Sequence, residues 1–180
     1  TVNGSFVSGN AQIPREDGPL EDAPLTGEVA LSTRELGWLP IFLPDVDRFA
    51  GQLESRLQLG GTVGAPLFQG HVAFTEGEVD VYRTNLLLRQ VNARLEFSGD
   101  AIALDARAAT KGGTAHAQGN LAWRNRSPVG TLRFDGENLL VADLPEARVI
   151  ASPALQFAVD GKRMDVSGDI VIPQADIKPK

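Results

Sequence analysis

Two histidines, His71 and His116, are the only imidazoles in the 180 residues. An imidazole is the side chain best suited to move a proton at neutral pH. Both fall on the polar parity of alternating segments, where a solvated histidine is the plainer reading. Asp100 and Asp105 flank Ile102-Ala103-Leu104 and could act as an acid–base pair of carboxylates. Acidic residues recur at most turns of this chain, however, where Asp serves as a turn former. Asp45-Val46-Asp47 opens like a calcium loop, but the Gly and distal Glu such a loop requires do not follow. Lys111-Gly112-Gly113-Thr114 carries the letters of a phosphate loop in the wrong order and lacks the upstream Gly. Asn3-Gly4-Ser5 and Asn125-Arg126-Ser127 are formal glycosylation triplets of a kind that chance supplies. There is no cysteine, which removes disulfides, thiolate nucleophiles and cysteine-held metals. The expectation is therefore no catalytic residue, no metal site, no cofactor and no enzyme. Trp38 and Trp123 could stack on sugars; lining a core or groove is the expected role.

Composition narrows the classes further. A net charge of −6 argues against binding a phosphate backbone, so no nucleic-acid partner is expected. Apolar residues are 42 % and charged residues 22 %, ordinary globular values. No window approaches the ~18 uninterrupted apolar residues of a spanning helix. Residues 1–180 fit one β-rich domain. The chain begins at Thr1 and ends on Ile177-Lys178-Pro179-Lys180, which reads as a fragment of a longer chain whose targeting segments lie outside it.

The elements that must position these residues have a period of two. Ile102, Leu104, Ala106 and Ala108 alternate with Ala103, Asp105, Arg107 and Ala109. Ala115, Ala117, Gly119, Leu121 and Trp123 do the same, as do Gly130, Leu132 and Phe134, and Met164, Val166, Gly168, Ile170 and Ile172. Alternation of this kind means strands with one apolar and one polar face. Gly60-Gly61, Glu76-Gly77, Ser98-Gly99-Asp100, Lys111-Gly112-Gly113, Asp135-Gly136 and Asp160-Gly161 read as turns between them. In Leu86–Phe97 the parity slips: Leu86 and Leu88 are even, whereas Val91, Ala93, Leu95 and Phe97 are odd. One extra residue near Arg89-Gln90 restores the face, which predicts a β-bulge there, with a turn as the alternative.

One segment departs from the pattern. Ser32-Thr33-Arg34-Glu35 reads as a capping box, with Ser32 the N-cap and Glu35 at the third helical position. Leu36, Trp38, Leu39, Ile41, Phe42 and Leu43 follow, and Pro40 and Pro44 limit the helix to about two turns. A short apolar helix near residues 33–43 is predicted, either plugging one end of the core or serving as a lid or surface-seeking patch.

A short unit, Gly-x-[Val/Leu/Ile]-x-[apolar], recurs at Gly27, Gly70, Gly119, Gly130 and Gly168, each Gly on the apolar parity. Glycine inside a strand weakens it unless the sheet bends sharply or another backbone comes close. Either these glycines end strands at turns, or the sheet curves over on itself. The irregular spacing excludes a fixed-period solenoid.

From Gly70 to Pro173 the ordered series of segments resembles the C-terminal part of the TamB family, among the AsmA-like and bridge-like lipid transport proteins of Gram-negative envelopes. The resemblance rests on Gly60-Gly61-Thr62 leading to Pro66 and Gly70, on Phe74-Thr75-Glu76-Gly77-Glu78-Val79, and on Asn92–Asp100 with Lys111-Gly112-Gly113. It rests most on Ala151-Ser152-Pro153-Ala154-Leu155 followed by Gly168-Asp169-Ile170-Val171-Ile172-Pro173-Gln174-Ala175-Asp176-Ile177. The first 45 residues match only in texture. The resemblance implies a long β-sheet folded into an open, taco-like groove, all-β and antiparallel-rich. It implies a protein of the translocation and assembly module, anchored in the inner membrane outside this segment, crossing the periplasm and meeting a BamA-like outer-membrane partner, TamA. It implies phospholipid acyl chains as the cargo of the groove.

On that reading the apolar parity supplies the lining: Val29, Leu31, Leu53, Leu57, Val72, Phe74, Leu95, Phe97, Ile102, Leu104, Leu121, Trp123, Leu132, Phe134, Leu155, Phe157, Val166, Ile170 and Ile172. The alternative is a closed β-sandwich that assists outer-membrane protein assembly by strand addition. Alternation alone leaves open whether a second sheet or a lipid tail covers the apolar face. A small outer-membrane barrel shares the alternation but calls for aromatic girdles, and aromatics are only 6 %.

Overall fold

The computed structural model describes residues 5–13, 19–37, 46–81, 86–124, 127–145 and 147–177. Eleven strands run in chain order: β1 (Phe6–Gln12), β2 (Thr26–Thr33), β3 (Val46–Gly61), β4 (Pro66–Val81), β5 (Leu86–Gly99), β6 (Ala101–Thr110), β7 (Gly113–Arg124), β8 (Ser127–Glu137), β9 (Leu139–Asp143), β10 (Ala147–Asp160) and β11 (Arg163–Ile177). They form a single antiparallel sheet in the order β1-β2-β3-β4-β5-β6-β7-β8-β10-β11, with β9 pairing β10 off the main path. Tight glycine-bearing links explain the meander. Asp160 pairs with Arg163 and leaves Gly161-Lys162 as the loop; Thr110 pairs with Gly113 and leaves Lys111-Gly112.

The sheet is open. β1 and β11 each keep one unpaired edge, and the first and last strands do not meet. A closed sandwich, the alternative drawn from the sequence, is therefore not the fold. The accessible surface is 12194 Å², against about 8,400 Å² for a compact monomer of this mass. Among the described residues the buried apolar side chains are Leu36, Val79, Leu139, Leu140 and Ala151. All five lie toward the strand ends where β2 stops, β4 ends, β8 ends and β10 begins. The opposite ends, at the Gly99-Asp100 and Gly161-Lys162 turns, carry no buried apolar residue among those described.

A crease of bulges runs across the sheet near that packed end. Between the pairs Arg89↔Ala109 and Asn92↔Arg107, β5 has three steps against two on β6. This is the extra residue that the parity slip predicts. Gln90 adopts φ 52°, as bulged residues often do. A matching extra residue lies in β4 between Phe74 and Gly77, where Glu76 also has φ 52°. Glu76-Gly77 is thus a bulge within β4, not a turn between strands. Asp135-Gly136 likewise stays inside β8, paired with His116 and Ala115. The chain breaks two residues later at Asn138, with φ 49°, where β8 gives way to β9.

The helix expected near residues 33–43 is not found over 33–37. Ser32 and Thr33 are the last residues of β2, and residues 34–37 form a bend and turn. The Glu35 amide donates to Thr33 Oγ1 at 3.0 Å, so the hydroxyl closes a local turn instead of capping a helix. The remainder of that expectation, with Trp38, Pro40 and Pro44, lies outside the described residues. The only helical element among those described is a 3-10 turn at Leu20–Asp22.

Candidate apolar binding face

Cross-strand register places the expected lining residues on one side of the sheet. One row passes from Leu31 through Ser55, Val72, Leu95, Leu104, Gly119, Leu132 and Phe157 to Val166. The next row toward the open end passes from Val29 through Leu57, Gly70, Phe97, Ile102, Leu121, Gly130 and Val159 to Met164. A third, toward the crease, holds Leu53, Phe74, Ala93, Ala106, Ala117, Phe134, Leu155 and Gly168. At ~4.8 Å per strand, a row crossing nine strands is about 38 Å long. The rows run perpendicular to the strands, so the apolar face is continuous in that direction.

One of the expected residues sits apart from this pattern. Ile172 falls in a register shift of β11, between the pairs Ser152↔Val171 and Ile150↔Gln174. Trp123 keeps the face two residues beyond Leu121, at the end of β7 opposite Pro128, where it is 54 % exposed. Ile170 keeps the face, opposite Pro153. Phe68, paired with Leu59 and in tilted ring contact with Phe97 at 6.3 Å, belongs to the same face and was not among the expected lining.

Glycine shapes the face as well as interrupting it. Gly70 sits mid-strand with φ 129°, and a β-carbon there would overlap the Arg56 carbonyl oxygen of the adjacent strand. No other residue permits this backbone to come so close. Of the two readings of the repeated Gly unit, the strand end does not apply at Gly70, which lies mid-strand with another backbone close by.

Toward the crease the face deepens into an apolar hollow of about 350 Å³. Ala106 and Ala108 of β6 and Ala115 and Ala117 of β7 form its floor, and Leu88, Val91 and Phe134 stand around it. β9 closes one side through Leu139, Leu140 and Val141. The Leu140 amide donates to Thr110 Oγ1 at 3.3 Å, tying β9 to the end of β6. These small and β9 residues escaped the expected lining because alanine carries little apolar weight and Leu139-Leu140-Val141 does not alternate.

The opposite face is charged and self-paired. Arg133 grips Asp135 with two hydrogen bonds of 2.6 and 3.0 Å, from Nε and Nη2, and Arg163 Nε is shared between the two carboxylate oxygens of Asp165 at 3.1 and 2.8 Å. His116 Nε2 lies 2.8 Å from Asp105 Oδ2. That hydrogen bond, then the nearby Arg107, holds the Asp105 carboxyl below its ordinary range. Arg133 does the same for Asp135. A broad hollow of about 1110 Å³ lies on this side of the crease, edged by Glu76, Glu78, His116, Asp135 and Glu137 and by alanines of β6 and β7. Asp100 sits in the β5–β6 turn, where its carbonyl accepts the Trp123 amide at 2.7 Å, away from Asp105 in mid-strand. Among the described residues, no three His, Asp or Glu side chains are grouped to hold a metal ion. No helix among them is long and apolar enough to cross a membrane.

Residues 1–74 match the family profile for TamB, N-terminal domain, and residues 103–180 match that for TamB C-terminal domain. The chain is a segment of a TamB-family protein. The match extends the resemblance over the first 45 residues, which the sequence pattern had left without motifs. No curated protein and no solved structure is significantly similar to the chain. The two TamB matches end and begin within strands of the same sheet, β4 and β6 respectively, with β5 between them. The apolar rows cross this junction without a break.

Proposed function

We propose that this TamB segment holds phospholipid acyl chains against its apolar face. In the full-length protein it is a stretch of a periplasm-spanning bridge, anchored in the inner membrane elsewhere in the chain. Its partner at the outer membrane is TamA, and the assembly supports outer-membrane biogenesis. The observation that carries this reading is the uncovered apolar face, continuous across nine strands and shared by both TamB matches. Burial of each methylene contributes ~0.8 kcal/mol, so a chain lying along a row is held by area alone. Rows of near-equivalent apolar residues, without a fixed polar partner, allow a chain to slide. The role is physical, and no residue acts on a bond. The two unpaired edges, β1 and β11, let neighbouring segments or an outer-membrane strand continue the sheet.

Leu104 lies mid-row, opposite Leu95 and Gly119, and Phe134 lies opposite Ala117 and Leu155. Replacing either with Arg places a guanidinium on the apolar face. Phospholipid bound per chain, read as phosphorus in detergent-free preparations, is expected to fall while strand content by circular dichroism stays near normal. Unchanged phospholipid in folded Leu104→Arg and Phe134→Arg chains would count against the proposal.

A further inference from the structure

We infer that the hollow beneath β9 is a discrete binding site for the methyl end of one unbranched alkyl chain. This inference rests on the lipid-holding reading and goes beyond it, because it turns part of a sliding surface into a stop. Ala106 and Ala108 of β6 and Ala115 and Ala117 of β7 leave a channel along this strand pair, with Phe134 of β8 on one flank and Leu88 and Val91 of β5 on the other. The floor is two adjacent strands wide, ~4.8 Å between them, comparable with the diameter of a single polymethylene chain. The volume of about 350 Å³ falls at the lower end of the ~300–1,000 Å³ typical of ligand pockets.

The chemistry of the walls selects the ligand. The exposed lining is apolar throughout: Arg107 and Thr110 border the hollow without turning a polar atom into it, and the Thr110 hydroxyl accepts from the Leu140 amide. A hydroxyl or charge placed inside finds no partner and loses its water. The hydrocarbon terminus of a chain meets no such cost. β9 makes the site blind: the chain kinks at Asn138, leaves the β7 ladder, and brings Leu139 and Leu140 across to the side facing Leu88. Both leucines are 5 % exposed, so this wall is packed and not a loose flap. An alkyl chain lying along β6 and β7 toward β9 therefore ends here methyl-first, with its polar head left on the open part of the face.

The test uses the unaltered 180-residue chain and cis-parinaric acid as a fluorescent reporter, displaced by palmitate and by ω-hydroxypalmitate. The two competitors differ only in the hydroxyl at the chain end. Palmitate is expected to compete roughly tenfold or more better, the factor that burying an unpaired hydroxyl commands. Ala106→Phe fills the floor and is expected to abolish that preference, whereas Val166→Ser, on the open part of the face, is expected to keep it. Equal competition by the two acids overturns the blind site and leaves the lipid-holding reading standing. Failure of palmitate to displace the reporter, or of the reporter to bind at all, overturns both. A folded Ala106→Phe chain that still prefers palmitate overturns the placement of the site. If Ala106→Phe does not fold, the comparison of the two acids on the unaltered chain decides alone.

Discussion

Leu139 packs its side chain into the space that Gly136, three residues earlier, leaves by having no β-carbon. The β8 strand can thus turn at Asn138 and lay β9 back against the sheet it has just left. A methyl group at Gly136 would meet Leu139 Cγ at 2.9 Å and Pro153 Cδ at 2.9 Å, both too close. Gly136→Ala is expected to push Leu139 out and loosen β9, at a cost of about 1–3 kcal/mol as in other overpacked sites. Urea unfolding of the variant gives the value, and an unchanged midpoint would show that Leu139 does not depend on Gly136.

Two glycines of the same segment make a second, paired expectation. Gly70 has φ 129° and no room for a β-carbon, whereas Gly60 has open space around its would-be β-carbon. Gly70→Ala is expected to cost about 1–3 kcal/mol for the strained backbone it forces. Gly60→Ala is expected to be neutral or stabilising by up to ~1 kcal/mol, through the entropy of the unfolded chain. Similar melting temperatures for the two variants would contradict the claim that the backbone at Gly70 requires glycine.

The bulge at Gln90 offers a third. A left-handed conformation costs an ordinary L-residue roughly 1–2 kcal/mol, which glycine avoids at an entropic cost of roughly 0.5–1 kcal/mol. With φ 52° at Gln90, Gln90→Gly is expected to be neutral to stabilising, while Val91→Gly beside it removes an apolar residue of the hollow and destabilises. Thermal unfolding that ranks the two variants the other way would place the bulge elsewhere.

The outer face carries a pH dependence whose direction follows from its ion pairs. In the folded chain the Asp105 carboxyl is held below its usual range, chiefly by the hydrogen bond from His116. The unfolded chain therefore takes up that proton more readily. The stabilising contribution is complete above the unfolded carboxylate value and is lost as pH falls through the depressed folded value. Asp135, held down chiefly by Arg133, behaves the same way. His116→Gln is expected to return Asp105 toward its ordinary value in a carboxyl-carbon NMR titration. An Asp105 titration indifferent to His116 would remove that cause.

Much of this fold is legible in residue order. The alternation of Ile102, Leu104 and Ala106 defines a face, and the slip between Leu88 and Val91 marks the Gln90 bulge before any coordinates. The same slip exists between Phe74 and Gly77-Val79, yet the Glu76-Gly77 pair imitates a turn and hides the second bulge. Ser32 and Glu35 imitate a capping box, but it is the Thr33 hydroxyl that accepts the Glu35 amide, closing a short turn with the same kind of bond that caps a helix. What local pattern does not carry is β9. Leu139-Leu140-Val141 has no period, and its place depends on Gly136 close by and on Thr110 and Leu88, which are distant in sequence. The openness of the face is also not a local property: an alternating strand reads the same whether a second sheet or a lipid covers it.

Mass spectrometry of lipids that co-purify with the chain from a bacterial envelope, without detergent, tests the central claim most directly. Phospholipid in stoichiometric amounts is the expected result, since the apolar face is uncovered and continuous across the sheet. A folded, monomeric chain that is clean of lipid would contradict it.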